Sequence, residues 1–345
     1  MKKNTVFLCA FFVFAGLNFP LHGMSSSRPS VEVLSIENIG VRTLKFFDEK
    51  RNRPVIVELW YPTDQNELVE TQEESVWVHP KEIRDSSLSD QKNQYPLIMM
   101  SHGHRGDRRE RTWLAEHLAK KGFTVAAVEH FGNTFSNYNP LISIRFWERP
   151  LDISYALDCL LEDPFLKGRI QTSKVGFIGY SLGGMTGLAL GGAIAQNVKE
   201  TIIRQQAQNK EVTSEIVEQI DFAPAGRNFV EPRIKAMLLI CPAIFVYPAK
   251  TLKQIKVPTA LVASVDDEVL PHKEHALQII RHLGPIKCQM MKKQTSHYTF
   301  LNRVSDLGKR VLHKNAQTDP LGCDRLSIHN EVGAFAVKFF CERFK

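Results

Sequence analysis

Short apolar runs alternate with amphipathic segments over most of the chain. Runs with strand composition occupy residues 54–62, 97–100, 123–128, 175–179, 234–240, 260–265 and 286–291. Apolar positions at helical spacing predict helices over residues 110–121, 150–162 and 182–195. Strands that alternate with helices in this way form a mostly parallel sheet with helices on both faces. The pattern therefore predicts an α/β fold.

Two polar segments interrupt this alternation. Residues 63–94 have few apolar positions and predict a long surface excursion. Residues 196–232 are rich in Gln and Glu, with apolar residues at helical spacing. This helical insertion follows the small-residue helix, so it is a candidate lid over the carboxyl ends of the strands, where open α/β sheets bind ligands. A plain helical hairpin on the surface is the alternative.

The N-terminus has the pattern of a targeting segment. Lys2 and Lys3 precede an apolar run over residues 6–17, and Pro20 and Gly23 follow it. The run is shorter than the roughly 20 residues that span a bilayer. Residues 1–23 are therefore predicted to be a signal peptide of a secreted or periplasmic protein, with an uncleaved membrane anchor as the alternative. Residues 24–345 are predicted to form a single domain.

Composition excludes collagen-like, disordered and disulfide-scaffold proteins. The 345 residues are 43% hydrophobic and 23% charged, as in packed globular domains. The net charge is +7, with 44 Lys and Arg against 37 Asp and Glu. A nucleic-acid partner is not expected, because the basic residues are scattered. A cluster at Arg105, Arg108, Arg109 and Arg111 is the exception. It is either a solvated helix face or an attractor of anionic substrates or of a membrane surface.

The cysteines follow neither a zinc pattern nor a dense disulfide framework. Beyond the signal peptide they are Cys159, Cys241, Cys288, Cys323 and Cys341, an odd number. Buried free thiols are the default state of the first three, while a bridge between the last two stays open.

One motif carries chemistry. Residues 179–184 read Gly-Tyr-Ser-Leu-Gly-Gly, between a predicted strand and a predicted helix. In this context Gly-x-Ser-x-Gly indicates a sharp turn that exposes the serine hydroxyl to a base. The N-terminus of the following helix would stabilise a developing oxyanion. Ser181 is therefore the candidate nucleophile.

The partners of such a serine come later in the chain, the acid before the histidine. The strand over residues 260–265 runs directly into Asp266 and Asp267, and His297 follows in a predicted loop. His297 is the candidate base. Asp267 is preferred as the acid that orients it, because its spacing to the next turn suits that role, and Asp266 is the alternative.

The loop after residues 97–100 reads Ser-His-Gly-His-Arg-Gly. A loop in this position supplies a backbone donor to the oxyanion, and His104 is the candidate. His102, His104 and Asp107 also resemble part of a metal site, but local spacing indicates no third convergent ligand. No metal and no cofactor are expected.

These residues resemble a known group, the bacterial α/β-hydrolases named predicted dienelactone hydrolases, which are similar to the plasma-type platelet-activating-factor acetylhydrolases. The resemblance covers most of the mature chain. Its motifs are Leu-Trp-Tyr-Pro-Thr at 59–63, Ser-His-Gly at 101–103, Glu-His-Phe-Gly-Asn-Thr at 129–134, Arg-Pro-Leu-Asp at 149–152, and Ser-His-Tyr-Thr-Phe-Leu at 296–301. It implies the α/β-hydrolase fold. It also implies Ser181 as nucleophile, His297 as base, Asp267 as acid, and the backbone N–H groups of Leu182 and His104 as the oxyanion hole.

The sequence departs from the group at two places. His104 stands where a small or apolar residue is common, which makes the pocket wall more polar. In the acetylhydrolases the acid follows the preceding strand, but that strand ends here in Cys241-Pro242-Ala243. This departure weighs against phospholipid specificity.

The resulting hypothesis is a serine hydrolase that cleaves carboxylic esters, with a small-molecule or lipid ester as substrate. A phospholipid acyl hydrolase is the alternative within catalysis. A non-catalytic binding protein on the same fold is the alternative from another class.

Overall fold

The computed structural model describes residues 38–66, 75–79, 82–206, 212–284 and 286–345. The predicted signal peptide, residues 1–23, lies outside the described residues. Within these ranges, no helix has the length and apolar character needed to cross a membrane.

The strands and helices alternate as the sequence pattern predicts. The strands are β1 Ile39–Asp48, β2 Arg53–Pro62, β3 Ile83–Arg84, β4 Tyr95–Ser101, β5 Thr124–Glu129, β6 Ile170–Tyr180, β7 Ile234–Ile240, β8 Thr259–Ser264 and β9 Ile286–Lys292. The helices are α1 Thr112–Ala119, α2 Pro140–Ser143, α3 Glu148–Glu162, α4 Leu182–Leu190, α5 Val198–Gln206, α6 Ser214–Glu218, α7 Ala249–Leu252, α8 Ala276–His282, α9 Asp306–Val311, α10 Lys314–Gln317 and α11 Arg325–Arg343. Two 3₁₀ helices lie at Ala223–Gly226 and His297–Phe300.

These strands form one sheet in the order β3-β1-β2-β5-β4-β6-β7-β8-β9. Strand β2 pairs antiparallel with both β1 and β5. From β5 to β9 the strands pair in parallel. The predicted fold class, a mostly parallel sheet in an α/β protein, is confirmed.

Apolar side chains alternate across the central strands and cover both faces of the sheet. In β4, Leu97 and Met99 pack into one core with α3 and α4. Ile98 and Met100 pack into the other core, with α1 and α11. Because neighbouring residues of a strand point to opposite faces, a strand buried on both faces needs a continuous apolar run. This requirement explains the short apolar runs in the sequence.

Several elements were not predicted, among them β1, β3 and α11, and two predictions were wrong. Residues 63–94 are not simply a surface excursion, because Trp77 is 4% exposed and Leu88 is 5% exposed. Their side chains add to the cores, and β3 pairs with β1. The helix predicted over residues 182–195 ends at Leu190, before Gly191 and Gly192.

The polar insertion over residues 196–232 contains α5, α6 and the first 3₁₀ helix. Thr213 caps α6 through its side chain, which accepts from the backbone N–H of Ile216. Helical structure in the insertion therefore agrees with its periodicity, and a lid function stays a prediction.

The described cysteines Cys159, Cys241, Cys323 and Cys341 are free thiols. The pairing of the last two, left open by the sequence, is therefore not made in this structure.

Candidate active site

Ser181 lies in a sharp turn between the end of β6 and the start of α4. Its backbone has φ 53° and ψ −116°, in the left-handed half of the map that non-glycine residues rarely adopt. Hydrogen bonds hold the turn from both sides, since the Ser181 N–H donates to the Ile240 carbonyl (2.9 Å) and its carbonyl accepts from Ala243 N–H (3.1 Å). Backbone strain of this kind concentrates at functional sites and turns the serine hydroxyl away from the sheet.

Glycines make the close approach around this turn possible. A Cβ on Gly179 would lie 2.1 Å from the Gly183 carbonyl oxygen, and a Cβ on Gly183 would lie 2.1 Å from the Ser101 carbonyl oxygen. The turn over residues 179–184, called the nucleophile turn because it presents the candidate nucleophile Ser181, therefore packs directly against the end of β4. Strand β4 leads into the loop of His104.

His297 begins the second 3₁₀ helix, and its ring reaches the serine. Its Nε2 lies 3.0 Å from the Ser181 Oγ. A capping box formed by Ser296 and Thr299 fixes the start of the 3₁₀ helix. The His329 ring also donates to the Thr299 carbonyl (2.9 Å), so α11 anchors this segment. His297 is 3% exposed, and its ring is thus held in place.

Of the two candidate acids, Asp267 is the one that contacts His297. Its Oδ2 accepts from His297 Nδ1 at 2.7 Å, and its Oδ1 accepts from the backbone N–H groups of Val269 (3.0 Å) and Leu270 (2.6 Å). The N–H is therefore on Nδ1 of His297, which leaves Nε2 free to accept from the serine. Asp266 points elsewhere and accepts from the backbone N–H of Gln294 (2.7 Å).

Both expected oxyanion donors border the same cavity as the serine. Leu182 is the first residue of α4, and the N–H of such a residue has no partner within its own helix. His104 lines the cavity together with Ser181 and Leu182. A Cβ on the neighbouring Gly103 would lie 3.4 Å from the Ser181 Cβ, which shows how closely the loop approaches.

The cavity at Ser181 has a volume of about 360 Å³. Its lining is mainly apolar and comes from several elements, including Ile144, Phe146, Met185, Val246 and Leu270. The helical insertion contributes Ile202 and Val212. Small-molecule sites typically combine such an apolar lining with a few polar groups that orient the ligand. Here the polar groups are His104, Tyr138, Ser143 and Ser181.

Cys241, Asp267 and His297 converge here but are poorly suited to bind a metal. Ligand atoms of Cys241, Asp267 and His297 lie within 4.8 Å of one another, as a metal would require. However, the Asp267 oxygens and both His297 nitrogens already have hydrogen-bond partners. Burial and the neighbouring Asp267 carboxylate raise the pKa of the Cys241 thiol well above its ordinary value, which disfavours the thiolate that metals bind.

Two residues of the second metal candidate from the sequence, His102 and Asp107, also have their ligand atoms engaged in hydrogen bonds. His102 Nδ1 donates to the Gly103 carbonyl (2.7 Å), while its Nε2 accepts from the backbone N–H of His130 (3.0 Å). Asp107 accepts from the Trp77 indole N–H (2.8 Å). These residues shape the loop that precedes His104.

Three of the four arginines in the cluster form neither a solvated face nor an open anion site. Arg108 pairs with Glu58 (2.9 Å) and with Glu129. Arg109 pairs with Glu82 (2.8 Å). Arg111 pairs with Glu110 and donates to the Ser101 carbonyl (3.0 Å). Both interpretations from the sequence are therefore wrong for these three arginines, which bind protein carboxylates.

Sequence reasoning missed two residues that support the site. Tyr180 is 3% exposed and donates its hydroxyl to the His297 carbonyl (2.8 Å). Arg149 is 2% exposed and donates to the His102 carbonyl. Tyr180 precedes the serine directly and was read only as part of the motif. Arg149 belongs to the Arg-Pro-Leu-Asp motif at 149–152, but that motif does not indicate its contacts, because its acceptors are distant in sequence.

Comparison with known proteins supports this picture at two levels. A family model described as platelet-activating factor acetylhydrolase, isoform II, matches residues 81–137. The matched segment includes β4, β5 and the loop of His104. The resemblance to these acetylhydrolases is confirmed there, while the name of dienelactone hydrolase is not. No curated protein matches the chain significantly.

The fold has a clear counterpart among solved structures. A ferulic acid esterase from Streptomyces cinnamoneus superposes with a TM-score of 0.56, covers 92% of both chains, and is 16% identical in sequence. The chain therefore has the fold of an α/β-hydrolase, and over residues 81–137 it is similar in sequence to the platelet-activating-factor acetylhydrolases.

Proposed function

We propose that the protein is a serine hydrolase that cleaves carboxylic esters. One observation carries the proposal: Ser181, His297 and Asp267 form a continuous hydrogen-bond chain, with 3.0 Å and 2.7 Å between successive atoms, and Ser181 lines an apolar cavity. Nucleophile, base and orienting acid within hydrogen-bond reach of one another constitute the machinery of acyl transfer. The family-model match and the esterase fold support the same reaction class.

In the acylation step, Ser181 Oγ attacks the ester carbonyl carbon while His297 Nε2 takes the hydroxyl proton. The carbonyl oxygen becomes an oxyanion, and the backbone N–H groups of Leu182 and His104 stabilise it. Asp267 stabilises the imidazolium that forms, without itself being protonated. Collapse of the tetrahedral intermediate breaks the bond to the alcohol oxygen, which receives the proton from Nε2.

In the deacylation step, water takes the place of the alcohol. His297 Nε2 removes a proton from the water as its oxygen attacks the acyl carbon. The second tetrahedral intermediate then expels Ser181 Oγ, which is reprotonated by the same histidine. The acid product leaves, and the enzyme returns to its starting state.

The cavity favours an apolar acyl group over a charged one. Apolar side chains such as Phe146, Met185 and Leu270 dominate its lining, and a buried charge without a partner there would be costly. A phospholipid acyl hydrolase is the second candidate, favoured by the family-model match over residues 81–137.

The helical insertion at the cavity is proposed to act as a lid over the bound ester.

Replacement of Ser181 by Ala tests the proposal. We expect Ser181→Ala to lower hydrolysis of p-nitrophenyl esters by about 10⁵–10⁶-fold, because the nucleophile is lost. The melting temperature should stay nearly unchanged, since the change removes one oxygen at the cavity. The purified mature protein and the variant are compared over a series of rising acyl length.

The same series discriminates between the candidates. Activity confined to short acyl chains indicates an esterase with a small pocket, while activity that persists or rises with length indicates a lipid substrate. Full activity in Ser181→Ala contradicts the mechanism. No activity of the parent on any ester in the series would favour the binding-protein alternative.

Export from the cytoplasm stays part of the proposal on the basis of the N-terminal sequence alone. Lys2, Lys3 and the apolar run over residues 6–17 support a secreted or periplasmic location. Contact with a membrane surface is proposed only for the phospholipid alternative.

A further inference from the structure

Arg149 carries a positive charge into the interior beside the candidate active site. It lies in the first turn of α3 and is 2% exposed. Burial lowers the pKa of Arg149 to about 9, which reflects the cost of removing a guanidinium from water. A cation in such a place is stable only if several acceptors face it.

Arg149 does not donate to Asp152, the buried carboxylate nearest to it in sequence. Asp152 lies on the same helix, but its oxygens accept from Arg53 (2.7 and 2.9 Å) and from His130 Nδ1 (2.9 Å). The hydrogen bonds of Arg149 go instead to neutral oxygens around the nucleophile turn. A residue kept only for a buried ion pair would not need this arrangement.

One side of the guanidinium holds the loop after β4. Its Nη2 donates to the His102 carbonyl and to the Ser101 hydroxyl (3.3 Å). Its Nη1 donates to Asn133 Oδ1 (3.2 Å), which also accepts from the backbone N–H of Arg105 (3.1 Å). The peptide between His102 and Gly103 is thereby tied to the cation directly, and the peptide between His104 and Arg105 is tied to it through Asn133.

The other side of the guanidinium holds helix α4. Arg149 Nε donates to Thr186 Oγ1 (3.2 Å), and the Thr186 hydroxyl donates to the Leu182 carbonyl (3.2 Å). Thr186 lies one turn after Leu182, so this contact fixes the first turn of the helix. The guanidinium thus links the two elements that carry the candidate oxyanion donors.

We propose that Arg149 is the positioning residue of the oxyanion hole. Its rigid planar fork sets the spacing between the loop of His104 and the first turn of α4, so that both backbone N–H groups aim at one point. The inference rests on the proposed function, since it concerns the oxyanion of that reaction. Arg149 acts through these peptides and does not touch the substrate.

Kinetics of Arg149→Lys and Arg149→Met test the inference. Lysine keeps the charge but has no fork, so neither variant should restore the spacing. We expect kcat per active site to fall by about 10²–10³-fold, as when an oxyanion donor is lost. KM for a p-nitrophenyl ester should change less than threefold, and a trifluoromethyl ketone, which forms an oxyanion on the serine, should bind correspondingly more weakly. Active sites are counted with a fluorophosphonate reacted to completion.

Arg84→Met is the matched control. Arg84 lies on β3 at the edge of the sheet and pairs with Glu58 (2.7 Å) and Glu82 (3.4 Å). Losing this half-buried cation should lower the melting temperature and leave kcat per titrated site unchanged. A purely structural role of Arg149 would produce the same pattern in its own variants, and that result would overturn the inference.

Thr186→Val provides a milder variant if the Arg149 variants do not fold. It removes one acceptor of the guanidinium with little change in shape, and we expect kcat per site to fall about tenfold without a change in KM. If the Arg149 variants do not fold and Thr186→Val has the same kcat per titrated site as the parent, the result counts against the inference. If hydrolysis in the parent depends on Ser181 while these variants keep full kcat, only the role of Arg149 fails. If hydrolysis does not depend on Ser181, the proposed function fails first.

Discussion

Asp266 and Asp267 are adjacent carboxylates with different tasks. Both follow β8, and residue type alone leaves either as the acid of the site. Asp267 is 7% exposed and accepts from His297 Nδ1, whereas Asp266 bonds the backbone N–H of Gln294 and braces the turn after β9. Because successive residues point in different directions, a shift by one position separates the carboxylate that meets His297 from one that contacts a loop.

This difference predicts opposite results for the two amide variants. Asp267→Asn should lower kcat by about 10⁴-fold, because the amide no longer stabilises the imidazolium or selects the right tautomer. Asp266→Asn should keep kcat within a factor of three. Steady-state ester hydrolysis by both purified variants makes the measurement, and a large loss in Asp266→Asn with a small one in Asp267→Asn would reverse the assignment.

Helix α4 shows what the site requires of a whole element. Its first turn lies so close to the end of β4 that only glycine fits at position 183. Small residues also let the helix lie close over the sheet, since Gly187 packs against Phe177 and Leu239. The helix therefore brings its N-terminal N–H groups to the serine by backbone proximity, at the expense of helix propensity.

Gly183→Ala tests this packing. The new Cβ would lie 2.1 Å from the Ser101 carbonyl oxygen, which belongs to the backbone and cannot rotate away. We expect a loss of about 1–3 kcal/mol in the free energy of unfolding, measured by urea titration, together with reduced hydrolysis. Gly226→Ala is the control, because its Cβ would meet nothing closer than the Ala195 carbonyl oxygen at 3.8 Å. Equal stability of the two variants would contradict the packing argument.

On the scale of the whole molecule, neutral histidines are built into the interior. Burial lowers the pKa of His79 and of His130 to about 3, and that of His329 to about 4. Burial and the nearby Arg149 lower the pKa of His102 well below its ordinary value. Between these values and about 6.5, the unfolded chain binds protons that the folded protein does not. Stability is therefore lost as the pH falls through this window.

We predict that the free energy of unfolding falls as the pH is lowered from 7 to 5. His79, His130 and His329 each contribute a loss of about 2 kcal/mol over this interval, and His102 adds a loss of the same sign. Buried carboxyls act in the opposite direction, since burial raises the pKa of Asp107 to about 6, that of Glu116 to about 7, and also that of Glu82. The net loss should be a few kcal/mol, measurable by urea unfolding at several pH values. Stability that rises on acidification would show that the carboxyls outweigh the histidines.

Local sequence patterns predict much of the fold and the candidate residues at the centre of the site. Strand β7 was predicted with its observed ends, because an apolar run between polar flanks can only be buried. The nucleophile turn was recognisable because its glycines and serine are adjacent in sequence. A periodic signal also existed for α11, in the apolar residues Ile328, Val332 and Ala336 at intervals of four.

Local sequence patterns do not predict contacts between distant parts of the chain. The segment over residues 63–94 reads as polar, yet Trp77 is buried because Asp107 accepts its indole N–H. The arginine cluster reads as a surface feature, yet its partners Glu58 and Glu82 lie on other strands or loops. A charged residue is solvated or paired according to what faces it, and only the packed structure supplies that neighbour.

The sequence by itself determined the α/β order of elements, the turn that presents Ser181, and the chain order of acid and base, because each depends on residues close together in sequence. Only the tertiary structure decided which carboxylate meets His297, how an apolar cavity forms beside the serine, and where Arg149 directs its hydrogen bonds. These features depend on atoms more than a hundred residues apart in some cases, such as His297 and Ser181, and long-range packing alone brings such atoms within hydrogen-bond distance.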